Sequence, residues 1–220
     1  MTDPRSATRQ RVRDIVARDI KPVRPLLPPG RRVLLLVPIA IAAAIYAPFG
    51  YGHRNFDHLG WLASWGVSAL EWMLGLLILA LALRHAVPGR GVSRRFLIAT
   101  LVGAPALIVL VTVVTYAVEP TKVPPGLAFR FWIECVKWPI TLAAPILLVA
   151  SLLAMRAFPT RPGPVGALCG LAAGVLADSG WRLACDVSAP SHVLGSHGLA
   201  IVLVAGLGAV ASVAIDAIRR

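Results

Sequence analysis

The chain has 220 residues, 57% of them hydrophobic, with a mean hydropathy of +0.76 and a formal net charge of +12. Long uninterrupted apolar runs exclude an ordinary soluble domain and make the bilayer the solvent for most of the chain. A soluble protein this basic would suggest nucleic acid. Here the charge is gathered between the apolar runs, so direct nucleic-acid binding is not expected.

Six runs are long enough to cross a hydrocarbon core of about 30 Å. They cover roughly residues 33–50, 60–83, 96–118, 131–154, 164–184 and 197–217. In lipid each must be a helix, because an open strand would leave unpaired backbone groups in hydrocarbon. The expected fold is an all-α membrane protein, a bundle of six transmembrane helices with a short cytoplasmic N-terminal amphipathic helix. Residues 1–32 form a basic tail and residues 33–220 the transmembrane domain. Seventeen Lys and Arg residues lie in the tail, the 84–95 and 155–163 loops and the C-terminus. Only Arg54, Lys122 and Arg130 lie in the opposite loops. The positive-inside rule then places both termini in the cytoplasm and favours a bacterial inner membrane. The polar tail is too long for the n-region of a secretory signal.

Within the tail, Val12, Ile15, Val16, Ile20 and Val23 recur at helical spacing, with Arg9, Arg11, Arg13 and Arg18 on the other side. Thr8 is the expected N-cap, and Pro22 closes the helix near Lys21. The apolar stripe suits anionic headgroups or a partner's groove. PVRPLLPPGRR then makes a stiff tether into the first span. That span contains Pro38 and Pro48, and His53 and His58 lie in the loop after it. The second span carries Glu71 near its middle, a costly position that must face the bundle interior. It is either a proton or substrate site or an interhelical hydrogen bond that fixes packing.

The third span is plain. The fourth opens with Glu134, Cys135 and Lys137, and the acid and base are three apart and able to pair. In the fifth, Asp178 and Arg182 are spaced i,i+4 and read as a self-neutralising structural pair. Gly170 and Gly174 have the spacing that lets helices approach closely. A last outer loop, DVSAPSHVLGSHG, carries Asp186, His192 and His197.

Cys169 and Cys185 are about 24 Å apart if both lie on one helix, and Cys169 faces the cytoplasmic end. Cys135 and Cys185 are expected at the same outer depth. They can form a disulfide on an oxidising face if their Cα atoms come within about 7 Å. As thiols beside Asp186, His192 or His197 they can bind a soft metal ion. They can also be unrelated small buried residues. No hydrolase elbow, phosphate loop, dinucleotide fingerprint or metalloprotease helix occurs, so an enzyme is not expected.

Several stretches, in order, resemble the NrsF-type membrane anti-sigma factors. They are ARDIKPVRPLLPPGRR before the first helix, Glu71 in the second and AVPGR (86–90) at its inner end. Cys135 opens the fourth helix, PTRPGPVGALCGLAAG follows, and Cys185 ends the fifth. The likeness covers nearly the whole chain. Where that family commonly has His-Cys-Pro, this chain has Ala184-Cys185-Asp186. The resemblance implies a negative regulator that holds an extracytoplasmic-function sigma factor on the cytoplasmic side. Its partner-binding tail would include Val12, Ile15, Val16, Ile20 and Arg24. A metal ion or oxidant acting on Cys135 and Cys185 would release the sigma factor. No cofactor is implied beyond a transient heavy-metal ion at the cysteines. Two rivals remain on the residues alone. One is a small proton- or ion-coupled transporter or channel using Glu71, and the other is a structural membrane subunit.

Overall fold

The computed structural model of the protein describes residues 4–19, 25–52, 59–121 and 128–219. The tail forms helix α1 (Pro4–Asp19). Its start at Pro4 puts Thr8 inside the helix, where it cannot cap the end. Val12, Ile15 and Val16 are each about half exposed. Ile20 and Arg24 lie outside the described residues, as do His53 and His58.

The first span is two helices in sequence, α2 (Pro29–Leu34) and α3 (Val37–Tyr51). The break at Leu35 and Leu36 precedes Pro38. A proline has no N–H to bond back and restricts the residue before it, so the helix restarts there with proline in its first turn. Helix α4 (Gly60–His85) buries Ser64, Ser68, Glu71, Gly75, Ile78 and Ala82. That three-and-four spacing makes one inward stripe. Helix α5 (Arg94–Val118) starts at Ser93, whose hydroxyl accepts the Phe96 N–H at 3.3 Å. Helices α6 (Ala128–Met155) and α7 (Pro162–Trp181) follow, joined by a turn in which Phe158 has φ 50°. The chain ends in α8 (Pro190–His192), a π-helical turn over Val193–His197, and α9 (Gly198–Arg219).

Six apolar helices are long enough to span a membrane, and no strand occurs among the described residues. The predicted fold class holds. The last two spans differ from expectation. Helix α7 stops at Trp181, so Cys185 follows the helix in a short connection and does not share it with Cys169. Residues 190–197, expected as loop, are helical. Pro190 has the φ of a first-turn residue and opens the helix, and the π turn runs directly into α9.

Helix α7 is the axis of the bundle. It has 78% of its apolar stretch buried, against 22–44% in the other five spans. Glycine makes this possible. A methyl on Gly170 would overlap the Val204 carbonyl oxygen, and one on Gly166 would overlap that of Gly208. Backbones of α7 and α9 therefore touch, as small-residue spacing permits in lipid. Gly180 lies close against the backbone of Ala44 in α3, and Gly75 of α4 against the Leu176 side chain.

Two arginines close the end of the bundle that holds the starts of α2 and α7. Arg32 is buried and donates to the Leu83 carbonyl at 2.8 Å and the Leu153 carbonyl at 3.3 Å. Arg219 donates to Met155 at 2.8 Å. These carbonyls lie in the last turns of α4 and α6, where helices lack internal partners and carry partial negative charge.

Candidate functional site

At the opposite end, the start of α6, the 182–189 connection and the π turn converge. The connection is held by polar bonds to the segment after α5. Ser188 N–H donates to the Thr121 hydroxyl at 2.8 Å, Thr121 N–H donates to the Ser188 hydroxyl at 2.9 Å, and that hydroxyl also bonds the Glu119 carbonyl. Cys185 is thereby fixed against the bundle, although it lies in no helix.

The structure brings Cys135 and Cys185 together, with their Sγ atoms 3.6 Å apart. All three cysteines are free thiols. His192 Nε2 lies 3.8 Å from the Cys185 sulfur. One donor atom from each of Cys135, Cys185, His192 and His197 falls within 4.8 Å of the other three, and all four residues are buried. The π turn is responsible for the pair of histidines. Its i to i+5 bonding brings residues five apart onto one side, which an α-helix would not do. The bond with Cys135 and burial together hold the Cys185 thiol above its ordinary pKa.

His197 has a second attachment. Its Nδ1 lies 2.7 Å from Asp178 Oδ1, while its Nε2 is buried without a hydrogen-bond partner. Beyond it runs a line of buried charge. Arg182 Nε lies 3.0 Å from Asp178 Oδ2 and 3.1 Å from Glu71 Oε1. The same guanidinium donates to the Thr112 hydroxyl at 3.2 Å. Asp178 and Arg182 pair as their spacing predicts, but the pair does not stand alone. They belong to a chain of four groups, Glu71, Arg182, Asp178 and His197, that ends at the thiols.

Asp186 is exposed and is not one of the clustered donors. It lines, with Arg130, Phe131, Glu134 and Trp181, a cavity of about 270 Å³ that reaches both Cys135 and Cys185. Glu134 and Lys137 pair at 3.2 Å on the exposed face, as their spacing predicts. Trp138 and Trp181 stack at 6.2 Å, with Tyr51 at 4.4 Å and 5.3 Å from them, beside the cluster. Cys169 is fully buried on α7 and takes no part.

The donor set chooses the chemistry the cluster can perform. Thiols and imidazoles bind soft or borderline cations, and a close dithiol can be oxidised; neither needs a nucleophile–base pair. Sequence reasoning paired Cys135 with Cys185 and set Asp186, His192 or His197 beside them, and the structure joins the two cysteines to both histidines but not to Asp186. That reasoning missed the bonds of Asp178 to His197 and of Glu71 to Arg182. The spacing of the two histidines is the one signal that points to a shared face, and only if a π turn is assumed.

Fold and site together define a six-helix membrane protein whose reactive groups are thiols and imidazoles gathered in one cluster. The sequence model of the family described as Negative regulator of sigma F, NrsF, matches residues 16–215. The chain belongs to that family, and a sigma factor is the partner such a regulator implies. A family of regulators agrees with the expectation of a non-enzyme. No curated protein and no solved structure matches the chain.

Proposed function

We propose that this protein is a membrane-bound anti-sigma factor that sequesters an extracytoplasmic-function sigma factor and releases it when Cys135 and Cys185 are ligated or oxidised. The observation that carries the reading is the thiol pair 3.6 Å apart in a chain of the sigma-regulator family. The basic tail and inner loops hold the sigma factor on the cytoplasmic face of a bacterial inner membrane. Val12, Ile15 and Val16 offer the apolar contact, and Ile20 and Arg24 extend the same tail. Asp186, His192 and His197 stand around or near the thiols on the periplasmic side. No resident cofactor is required.

A bundle that answers such a signal needs two packings close in energy. The thiols join α6 to the 182–189 connection, and α6 runs the length of the bundle to the carbonyls held by Arg32. A change of bonding at one end therefore bears on the helix to which the tail is anchored. Glu71 suits this scheme better than transport, because its carboxylate is committed to Arg182 at 3.1 Å.

The test is the double variant Cys135→Ser, Cys185→Ser in a strain that reports sigma-dependent transcription. Sequestration should persist while the response to cadmium or a thiol oxidant disappears. A double variant that still responds normally would remove the thiols from the mechanism.

A further inference from the structure

We propose that Cys135, Cys185, His192 and His197 form a single four-donor site for a d¹⁰ divalent cation of the zinc or cadmium class, with Asp178 as the positioning residue for His197. This deepens the regulatory reading above and rests on it for its consequence, but the binding itself can be tested alone.

Geometry favours ligation. A cation with metal–sulfur bonds of about 2.3 Å and metal–nitrogen bonds of about 2.0–2.1 Å sits in a tetrahedron with edges of about 3.4–3.8 Å. The Sγ–Sγ separation of 3.6 Å and the Sγ–Nε2 separation of 3.8 Å are already such edges. All four donors lie within 4.8 Å, so the longest edge needs to contract by only about 1 Å. Separate elements supply them: Cys135 from α6, Cys185 from the connection, His192 from the end of α8 and His197 from the π turn that follows it.

His197 is the independent sign of a ligand. Its Nδ1 is tied to Asp178, which places a proton on Nδ1 and leaves Nε2 as the ring atom available to a ligand. That Nε2 is buried and has no partner. Metal-binding histidines are held by carboxylates in this way. Arg182 in turn holds Asp178, and Glu71 balances Arg182.

Charge and access fit the same class. Ligation replaces two thiol protons by one divalent cation, M²⁺ + 2 RSH → M(SR)₂ + 2 H⁺. The buried site therefore gains no net charge when it loads. The absence of a carboxylate among the four donors disfavours calcium and magnesium, which take oxygen ligands. The cavity of about 270 Å³ that reaches the sulfurs has Glu134 and Asp186 on its wall, carboxylates that attract a cation without ligating it.

The experiment uses the full chain in mild detergent, reduced and stripped with a chelator, titrated with Cd²⁺ alone. The expected result is one ion per chain, a thiolate-to-cadmium charge-transfer band, and protection of Cys135 and Cys185 from maleimide. His192→Gln, a residue with no role in the Asp178 network, should weaken binding about 10-fold or more. Asp178→Asn should weaken it by about 10–100-fold with the thiol count unchanged, and Asp186→Asn should leave it within about twofold. Absence of Cd²⁺ binding by the wild type, or binding that His192→Gln leaves untouched, would overturn the four-donor site. Sigma-factor retention is read on the same samples. If Cd²⁺ fails to bind but an oxidant still joins the thiols and releases the partner, the metal site falls and the regulatory reading stands. If Cd²⁺ binds as described and retention never changes, the site stands and the regulatory reading falls.

Discussion

Replacing Arg182 by Met removes the one cation between two buried carboxylates. In the native chain its Nε is 3.0 Å from Asp178 and 3.1 Å from Glu71, and its terminal nitrogens bond the Thr112 hydroxyl. Both carboxylates are about 1% exposed. Removing one partner of a buried ion pair costs about 3–5 kcal/mol, because the charge left behind keeps its desolvation penalty. Asp178 keeps His197, so the expected destabilisation is about 3–5 kcal/mol rather than twice that. Glu71→Gln alone removes an ion-pair partner but leaves Arg182 bonded to Asp178, and should cost less, about 1–3 kcal/mol. The double variant removes both ends and should be less damaging than the sum, with a coupling of about 0.5–3 kcal/mol. Unfolding in mixed detergent micelles, followed by circular dichroism across the four proteins, measures each quantity. An Arg182→Met protein within about 1 kcal/mol of wild type, with an additive cycle, would refute the buried network.

Further tests address packing and anchoring. Gly170→Ala puts a methyl against the Val204 carbonyl and should cost about 1–3 kcal/mol or more in the same assay. Gly206→Ala meets nothing within 4 Å and should be neutral or gain up to about 1 kcal/mol from helix propensity. Arg32→Met removes donors to Leu83 and Leu153, and the expected result is faster proteolysis of the tail in the folded protein. Arg32→Lys should restore this only in part, since an ammonium lacks the fork that reaches two helices. Oxidation with copper phenanthroline should protect two thiols per chain from maleimide, and Cys169→Ala should leave that number unchanged.

The spans were legible because hydropathy over twenty residues is a strong signal, and Glu71 marked the inward face of its helix because a carboxylate at that depth must avoid lipid. The break at Leu35 and Leu36 was hidden inside a continuous apolar run, where only Pro38 hinted at it. The start of the last helix was missed for a physical reason. Ser191, His192, Ser196 and His197 look like loop residues, yet all but Ser191 are buried because their polar atoms face other polar groups. Glu71 sits on α4 and Arg182 just past the end of α7, 111 positions apart, so no local pattern links them. What joins them is the low dielectric of the bundle centre, which leaves a buried carboxylate and a buried guanidinium few partners but each other.

The most direct test of the account is affinity purification of the tagged protein from its native membrane in mild detergent, with the eluate identified by mass spectrometry before and after cadmium or a thiol oxidant. A sigma factor should co-elute from untreated membranes and be lost on treatment. Eluates with an intact tail that contain no sigma factor would contradict it.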